Sequence, residues 1–431
     1  MRFRFRLPRE NRRTWFAAAT LSVVALLVAA YAYHQASKST TANYYNPHAA
    51  FQTGPTSSPA SSVGKGARFL WPIYGFNDAR TRVFSGGPAW MNTPSTWQVK
   101  WKLSGNAPLE FPPDIYGNAA FFMDDHATVN KINLLTGHRY WRYQPGVWSA
   151  ASPALDPKLG LLYVPVLSKT SDSPGNGAFV AISMKSGKPV WSDPLPPGSE
   201  SSPLIWGQNV YFGDSGGTVH DVNAKTGATI WTFPTSAPVK GGPTLHAGVL
   251  YFGNYAGEVY AVNARTGHQL WSTNIGPNVY ASPTYAYGRL YVGNTSGGFY
   301  SLEASSGAVA WSFNTGNYVY SSAAVDNVPG LGPTVYFGSY NGHAYAVNAQ
   351  SGHIDWEQAV GGSISGAASI VNNTVFFSSV YTGHNLTRGY NVASGAQDFS
   401  FNDGAYTATV ASPKAVLLSG HYVLYGFFPK K

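Results

Sequence analysis

Down most of the chain, short runs of alternating apolar and polar residues are separated by Gly, Pro, Asn, Ser and Thr. Residues 288–293 show one such run, residues 298–302 the next, and Ser306 with Gly307 stands before a third that contains Trp311. Alternation with a period of two predicts half-buried strands, and the intervening residues predict tight turns. Just upstream, Tyr280, Ala281, Ser282 and Pro283 lead into a short stretch of small residues. The pattern is therefore four strands per unit, the first of them small enough to lie near a crowded axis.

The unit repeats. A hydroxyl residue and Gly precede an aromatic by a fixed interval at Thr136/Gly137/Trp141, Ser186/Gly187/Trp191, Thr226/Gly227/Trp231 and Thr266/Gly267/Trp271. It recurs at Ser306/Gly307/Trp311, Ser351/Gly352/Trp356 and Ser394/Gly395/Phe399. Trp101 lies 40 residues before Trp141, and the successive aromatic spacings are 40, 50, 40, 40, 40, 45 and 43. A period near 40 is that of a four-stranded propeller blade. The reading is an all-β, eight-bladed β-propeller over residues 70–431. Gly takes the positive φ of each turn, and each large ring fills the wedge between neighbouring blades. After Phe399 there is chain for about two strands, in 407–416 and 421–428, and Trp101 sits on a strand with no blade of its own. Joining these ends closes an eighth blade; seven blades result if the segment before Trp101 packs outside the ring.

The N-terminus changes the picture of where this propeller resides. Residues 1–13 carry Arg2, Arg4, Arg6, Arg9, Arg12 and Arg13 against the single acid Glu10. Residues 14–33 hold no charge, and 20 residues of helix span about 30 Å, a bilayer core. Arginines favour the cytoplasmic side, so the bulk of the chain is expected outside, periplasmic or at the cell surface. A retained single-pass transmembrane anchor is one reading; a cleaved signal sequence, with Ala30, Tyr31 and Ala32 as a small-x-small site, is the other. Residues 34–69, rich in Ser, Thr, Ala, Pro and Gly, are expected to form a flexible linker.

Charge and composition narrow the function. The formal charge of +9 comes from 28 basic and 19 acidic residues; outside residues 1–13 the balance is 22 to 18. No basic stripe follows from that, and nucleic acid is not expected as a partner. The chain has no cysteine, which excludes disulfides, thiolate metal sites and a lipidated N-terminal cysteine. His residues are scattered without zinc spacing, and Asp124, Asp125 and His126 read as solvated loop residues rather than ligands.

Ala261, Val262, Asn263, Ala264, Arg265, Thr266 and Gly267 running to Trp271, and the matching run from Ala346 to Trp356, resemble the repeat of the pyrroloquinoline-quinone-like, or quinoprotein-type, β-propeller family. Its Asp is replaced here by Asn at Asn133, Asn223, Asn263, Asn348 and Asn391, which can still cap the turn. Residues 71–81 resemble the segment that opens these propellers. The family holds quinone-dependent alcohol and sugar dehydrogenases, with the quinone on the axis beside Ca²⁺, and also non-catalytic BamB-type outer-membrane assembly proteins. Acids are scarce and blade loops short, so the expectation is a non-enzymatic scaffold without cofactor or metal, binding envelope or membrane proteins. A PQQ- and Ca²⁺-dependent dehydrogenase is the alternative.

Aligning the repeats places Glu200, Lys240, Tyr280 and Tyr320 at one position, before the first strands. Asp214, Asn254, Tyr255, Asn294, Tyr340 and Asn341 fall between second and third strands. Both sets of loops end on one face of a propeller. This ring of Tyr, Asn and a few charges is the candidate partner-binding face, ordinary turn chemistry being the competing account.

Overall fold

The computed structural model describes residues 44–53, 68–169, 176–380, 385–404, 406 and 409–430. The expected span at 14–33 and the basic segment at 1–13 lie outside these residues. Among the described residues, no helix is long and apolar enough to cross a membrane.

Eight sheets follow one another along the chain, each built on four antiparallel strands, and Val83–Phe84 adds to the seventh in parallel. Blade 1 comprises Asp114–Tyr116, Ala119–Met123, Val129–Asn133 and Arg139–Tyr143. Blades 2 to 7 begin at the inner strands Ala154–Asp156, Leu204–Trp206, Thr244–His246, Thr284–Ala286, Ala324–Val328 and Ser369–Val371. The inner strands are short, but not built of small residues as expected: Leu204–Trp206 and Thr284–Ala286 carry Trp206 and Tyr285, and the small residues fall just before them. Second strands such as Arg289–Gly293 are buried throughout. Outer strands such as Gln269–Asn274 alternate exposed and half-buried residues, as the rim of a disc requires.

Blade 8 closes the ring. Val410–Ser412, Ala415–Ser419 and Val423–Pro429 supply three strands, and Trp97–Ser104 pairs with the last of them, Pro429 opposite Trp97 and Val423 opposite Ser104. The sequence reading allowed about two C-terminal strands. Pro413 and Lys414 turn the chain between Ser412 and Ala415, dividing one expected strand into two. The seven-bladed alternative falls, since the strand with Trp101 is the outer strand of the ring. Closure leaves the propeller without a free end to unzip.

Each blade is stapled to the next through its aromatic. The indole N–H of Trp311 donates to Ala349 O at 2.9 Å, that of Trp271 to Ala304 O at 3.0 Å, and that of Trp101 to Leu134 O at 3.1 Å. The glycine of the following blade lies flat against the ring: a Cβ on Gly352, at φ +72°, would stand 2.7 Å from Trp311. Gly is needed here for its φ and for its missing side chain together. A tyrosine in the second strand reaches the same carbonyl, Tyr291 Oη donating to Ala349 O at 3.2 Å and Tyr211 Oη to Ala264 O at 3.0 Å. At the seam, Phe399 replaces the tryptophan and packs on Trp97 and Phe427, with ring centroids 5.6 and 5.8 Å away. The Asn substitutions also behave as caps: Asn263 Oδ1 accepts from Arg265 N at 2.9 Å and Thr266 N at 3.1 Å.

The segment from Leu70 to Phe84 runs around the inner strands. Leu70–Trp71 pairs with blade 1, and the carbonyls of Pro72, Asp78, Ala79, Thr81 and Arg82 accept from Leu155, Leu245, Tyr285, Val325 and Ile370 of blades 2, 4, 5, 6 and 7. The linker expected over 34–69 differs at 44–53, which pack on blade 5. Tyr44–Tyr45 adds an antiparallel strand beside Trp311 and Ser312. Arg289 donates to Ala50 O at 2.8 Å and Ala49 O at 3.0 Å, and Phe51 stacks on Tyr287 at 5.4 Å. Tyr44, Tyr45 and Phe51 give this stretch the apolar surface that a Ser/Pro tether lacks, and Arg289 satisfies its backbone.

Candidate functional site

In antiparallel blades, the loops entering inner strands and the turns joining second to third strands share one face. There the entering loops bring Glu200, Lys240, Tyr280 and Tyr320 around the axis, and the turns add Tyr255 and Tyr340. With Tyr74 from the encircling segment and Glu110, all of these but Tyr255, which packs behind Lys240 and Tyr280, surround a cavity of about 260 Å³. Lys240 Nζ lies 2.7 Å from Glu200 Oε1 and 5.0 Å from the Tyr255 ring centroid. Tyr280 Oη donates to Glu200 Oε2 at 3.4 Å. Tyr280 and Tyr320 meet edge to face at 5.1 Å, and Tyr320 and Tyr340 at 5.1 Å. Tyr318, 47% exposed, extends this edge-to-face chain onto the open surface, its ring 5.7 Å from Tyr320.

The electrostatics are those of an acid-lined, partly dry mouth. Burial, then the charge of Glu200, raises the Glu110 carboxyl above its usual value. Asp125 is pushed up to about 8 by burial, with Glu110 and Asp124 adding repulsion. Tyr280 rises well above the ordinary phenol through burial and the neighbouring Glu200, so its proton stays to be donated.

Serines from adjacent blades form the wall beneath. Gly242 N donates to Ser282 Oγ at 2.9 Å, and Ser282 N to Ser322 Oγ at 3.0 Å. Under Tyr74 lie two fully buried arginines. Arg80 donates to Pro243 O at 2.7 Å, Ser202 O at 2.9 Å and Tyr74 O; Arg82 donates to Ala323 O and Thr284 Oγ1, both at 3.0 Å. Burial, then the charge of Arg82, lowers Arg80 to about 9. These arginines tie the encircling segment to inner strands that offer carbonyls and few side chains. Buried Asp114 has no hydrogen-bond partner among the described residues, and burial raises its carboxyl well above the usual range, the charge of Arg80 opposing the rise.

Of the residues expected on this face, Glu200, Lys240, Tyr255, Tyr280, Tyr320 and Tyr340 come together. Asp214, Asn254 and Asn294 do not: they are buried inside their turns. Asn254 Oδ1 accepts from Ala256 N and Glu258 N at 3.0 Å each, and Asn294 Oδ1 from Gly298 N at 2.9 Å. Asp214 accepts from Thr218 N and meets His220 Nε2, both at 2.8 Å. Asn341, half-buried, accepts from His343 N at 2.9 Å and donates to Thr315 O at 2.9 Å and the Tyr345 hydroxyl at 2.6 Å. A short polar side chain satisfies the turn's own N–H groups, which leaves little of it for a partner. Asp124 plays the same part in blade 1, accepting from Thr128 N at 2.9 Å. Tyr74, Glu110 and Tyr406 were missed. Tyr74 lies outside the repeat frame, but Glu110 and Tyr406 stand four residues before the inner strands Asp114–Tyr116 and Val410–Ser412, the register of Glu200, Lys240, Tyr280 and Tyr320, and Glu110 precedes Pro113 as Tyr280 precedes Pro283. The serine wall had a signal, since Ser202, Ser282 and Ser322 follow the repeat register two residues after Glu200, Tyr280 and Tyr320.

The fold and this mouth define a quinoprotein-type eight-bladed propeller with an aromatic axial opening. A family model described as outer membrane protein assembly factor BamB matches residues 71–215, 146–238, 215–330 and 303–430, and the chain belongs to that family. No curated protein matches it. Among solved structures it is similar to BamB from Moraxella catarrhalis, at 17% identity and TM-score 0.60, over 77% of this chain and 99% of that one. It is also similar to quinohemoprotein alcohol dehydrogenase from Comamonas testosteroni, at 14% identity and TM-score 0.66, over 83% and 80%. A europium-containing methanol dehydrogenase gives 12% identity and TM-score 0.65, over 83% and 98%. At these identities the likeness shows the fold.

Proposed function

We propose that the chain is a non-catalytic, membrane-anchored extracytoplasmic scaffold that holds envelope proteins at its tyrosine-lined mouth. The observation that carries this reading is the chain of edge-to-face tyrosines, running from the exposed Tyr318 into a cavity whose cation, Lys240, is already paired with Glu200. Rigid tyrosines offer large contact area at low entropic cost, with hydroxyls left for hydrogen bonds. Membership of the BamB family supports partners in the envelope, and the charge pattern of residues 1–33 supports the anchor.

The donor set does not suit the dehydrogenase alternative. The acids lining the mouth are Glu110 and Glu200, the latter held by Lys240, and the described residues contain no group of three or more His, Cys, Asp or Glu able to hold a metal ion. Ca²⁺ takes six to eight oxygen ligands, rich in carboxylates. The cavity of about 260 Å³ also falls just under the common range for cofactor pockets, about 300–1,000 Å³. Crosslinking from membranes through a photoreactive residue at position 318 is expected to capture a discrete envelope partner. Dye reduction with alcohols or sugars after loading with pyrroloquinoline quinone and Ca²⁺ is expected to stay at background; robust turnover overturns the scaffold reading.

A further inference from the structure

The opposite face, made by the turns joining first to second and third to fourth strands, has another chemistry. Between blades 8, 1 and 2 it opens a groove of about 840 Å³ whose charged lining residues are Arg68, Lys131, Lys185 and Lys414, with no carboxylate among the described residues that line it. Lys185 and Lys414 are exposed, and Lys414 Nζ donates to Asn118 Oδ1 at 2.9 Å. The Tyr140 hydroxyl accepts from Asn133 Nδ2 at 2.7 Å, which leaves its own proton to give.

Lys131 is where this blade departs from the repeat. In blades 2 to 6 a second-strand tyrosine and the outer tryptophan share the next blade's carbonyl, as Tyr163 and Trp191 share Ala224 O at 3.0 and 3.2 Å. The residue paired with that tyrosine is Ala181, Asp221, Ala261, Ser301 or Ala346, none of them a cation. In blade 1 the tyrosine is Phe121, its partner is Lys131, and Lys131 Nζ donates to Met184 O at 2.9 Å beside the indole of Trp141 at 3.3 Å. The ammonium replaces the missing hydroxyl, stacked against Phe121 and Tyr140 at 5.5 and 5.6 Å. A hydroxyl would finish with one bond; an ammonium has three N–H groups and a charge. The substitution keeps the staple and places a cation at the base of the groove.

We propose that this groove is a binding site for a phosphate-bearing anion. It presents cations and donors around a volume many times that of one water, and Lys and Arg are the side chains that meet phosphate. The source of the phosphate is a soluble anion or a lipid headgroup, and the test separates the two. The full chain in neutral detergent is titrated calorimetrically with inorganic pyrophosphate, and separately with micelles doped with phosphatidylglycerol or with phosphatidylcholine. Two double variants are compared. Phe121→Tyr with Lys131→Ala restores the tyrosine staple and removes the cation; Lys185→Gln with Lys414→Gln changes exposed positions only. Lys225→Gln, on a blade 3 turn outside the groove, is the control. Salt-weakened binding of pyrophosphate, or of phosphatidylglycerol over phosphatidylcholine, is expected. It should fall about tenfold in each groove variant and hold in the control. Pyrophosphate binding assigns a soluble anion, and binding to phosphatidylglycerol micelles alone assigns a headgroup. Failure of both probes, or an equal loss in Lys225→Gln, overturns the site.

Discussion

The outer girdle and the axial mouth are built from the same repeated unit, yet they use it in opposite ways. At the girdle the tryptophan copies do one thing: Trp231, Trp271 and Trp311 donate to the next blade's carbonyl at 3.1, 3.0 and 2.9 Å, with a glycine against each ring, while Phe399 at the seam packs without a donor. At the mouth one register position is Glu200, then Lys240, then Tyr280, then Tyr320. Ring closure needs each interface to match, because a single misfit strains the whole circle. The mouth has no such constraint, since its residues face a cavity rather than a neighbouring blade. Uniform positions therefore report architecture, and the varied positions facing a common space are the ones the proposed partner contact uses.

The sharpest way to break this contrast is at the girdle. Trp311 is 1% exposed and Gly352 lies beneath its ring. Trp311→Ala removes a buried indole, its hydrogen bond and its packing, for an expected loss of about 3–5 kcal/mol. Thermal melting should fall strongly, and partner capture should fail only at temperatures where the variant unfolds. A variant that melts like the wild type removes the girdle from the stabilising contacts.

At the mouth the order should reverse. Replacing Tyr280, Tyr320 and Tyr340 together by Ala is expected to cost about 2 kcal/mol or more of partner affinity, as loss of aromatic anchors does. Each of these rings is half-buried and packs chiefly on the others, so melting should move less than in Trp311→Ala. Crosslinking yield through position 318 reads the first effect and calorimetry the second. Early melting with full capture would invert the assignment of core and surface.

Most of the girdle was legible in the sequence because its demands are local and periodic. A turn that needs Gly and a wedge that needs an indole leave the same residues at the same interval. The mouth was half legible. Loop positions could be aligned, but direction could not: Asn254 and Asn294 share the register of the exposed turns and point inward to bond their own backbone. Tyr74, outside the repeat, reaches the mouth through the path of the encircling segment, and no spacing encodes that path; Glu110 shares the register of Glu200, three residues before a proline, and was legible there. The order of residues 44–53 was hidden likewise, since it depends on Arg289, more than two hundred positions away.

A pH scan sharpens the contrast inside a single blade. Asp221 is wholly buried at a position that is Ala261 or Ser301 in later blades, and accepts from Asn209 Nδ2 at 2.7 Å. Burial pushes its carboxyl up to about 7. The folded chain therefore keeps a proton that the unfolded chain, with its lower pKa, has already released above about pH 4. Stability from this group is complete below that pH, falls between about pH 4 and 7, and is level above. Asp221→Asn should match the wild type at the acid end and melt higher at pH 8. An equal melting difference at both ends would place the effect in packing rather than ionisation.

The smallest expected effect tests whether the girdle's second donor matters where the first remains. Tyr291→Phe removes one hydroxyl from a wholly buried ring, leaving the ring's packing intact. Ala349 O loses the Tyr291 bond at 3.2 Å and keeps Trp311 Nε1 at 2.9 Å, so no carbonyl is orphaned. A hydrogen bond lost without a buried group left unpaired costs about 0.5–1.5 kcal/mol. Blade 1 shows the same change made naturally, Phe121 standing where Tyr291 stands, but there Lys131 supplies the second donor. Tyr291 has Ser301 opposite, which is too short for that substitution. Tyr291→Phe should thus lower the melting temperature slightly, and far less than Trp311→Ala. A loss as large as that of the tryptophan would mean that the shared carbonyl, rather than the ring against glycine, holds neighbouring blades together.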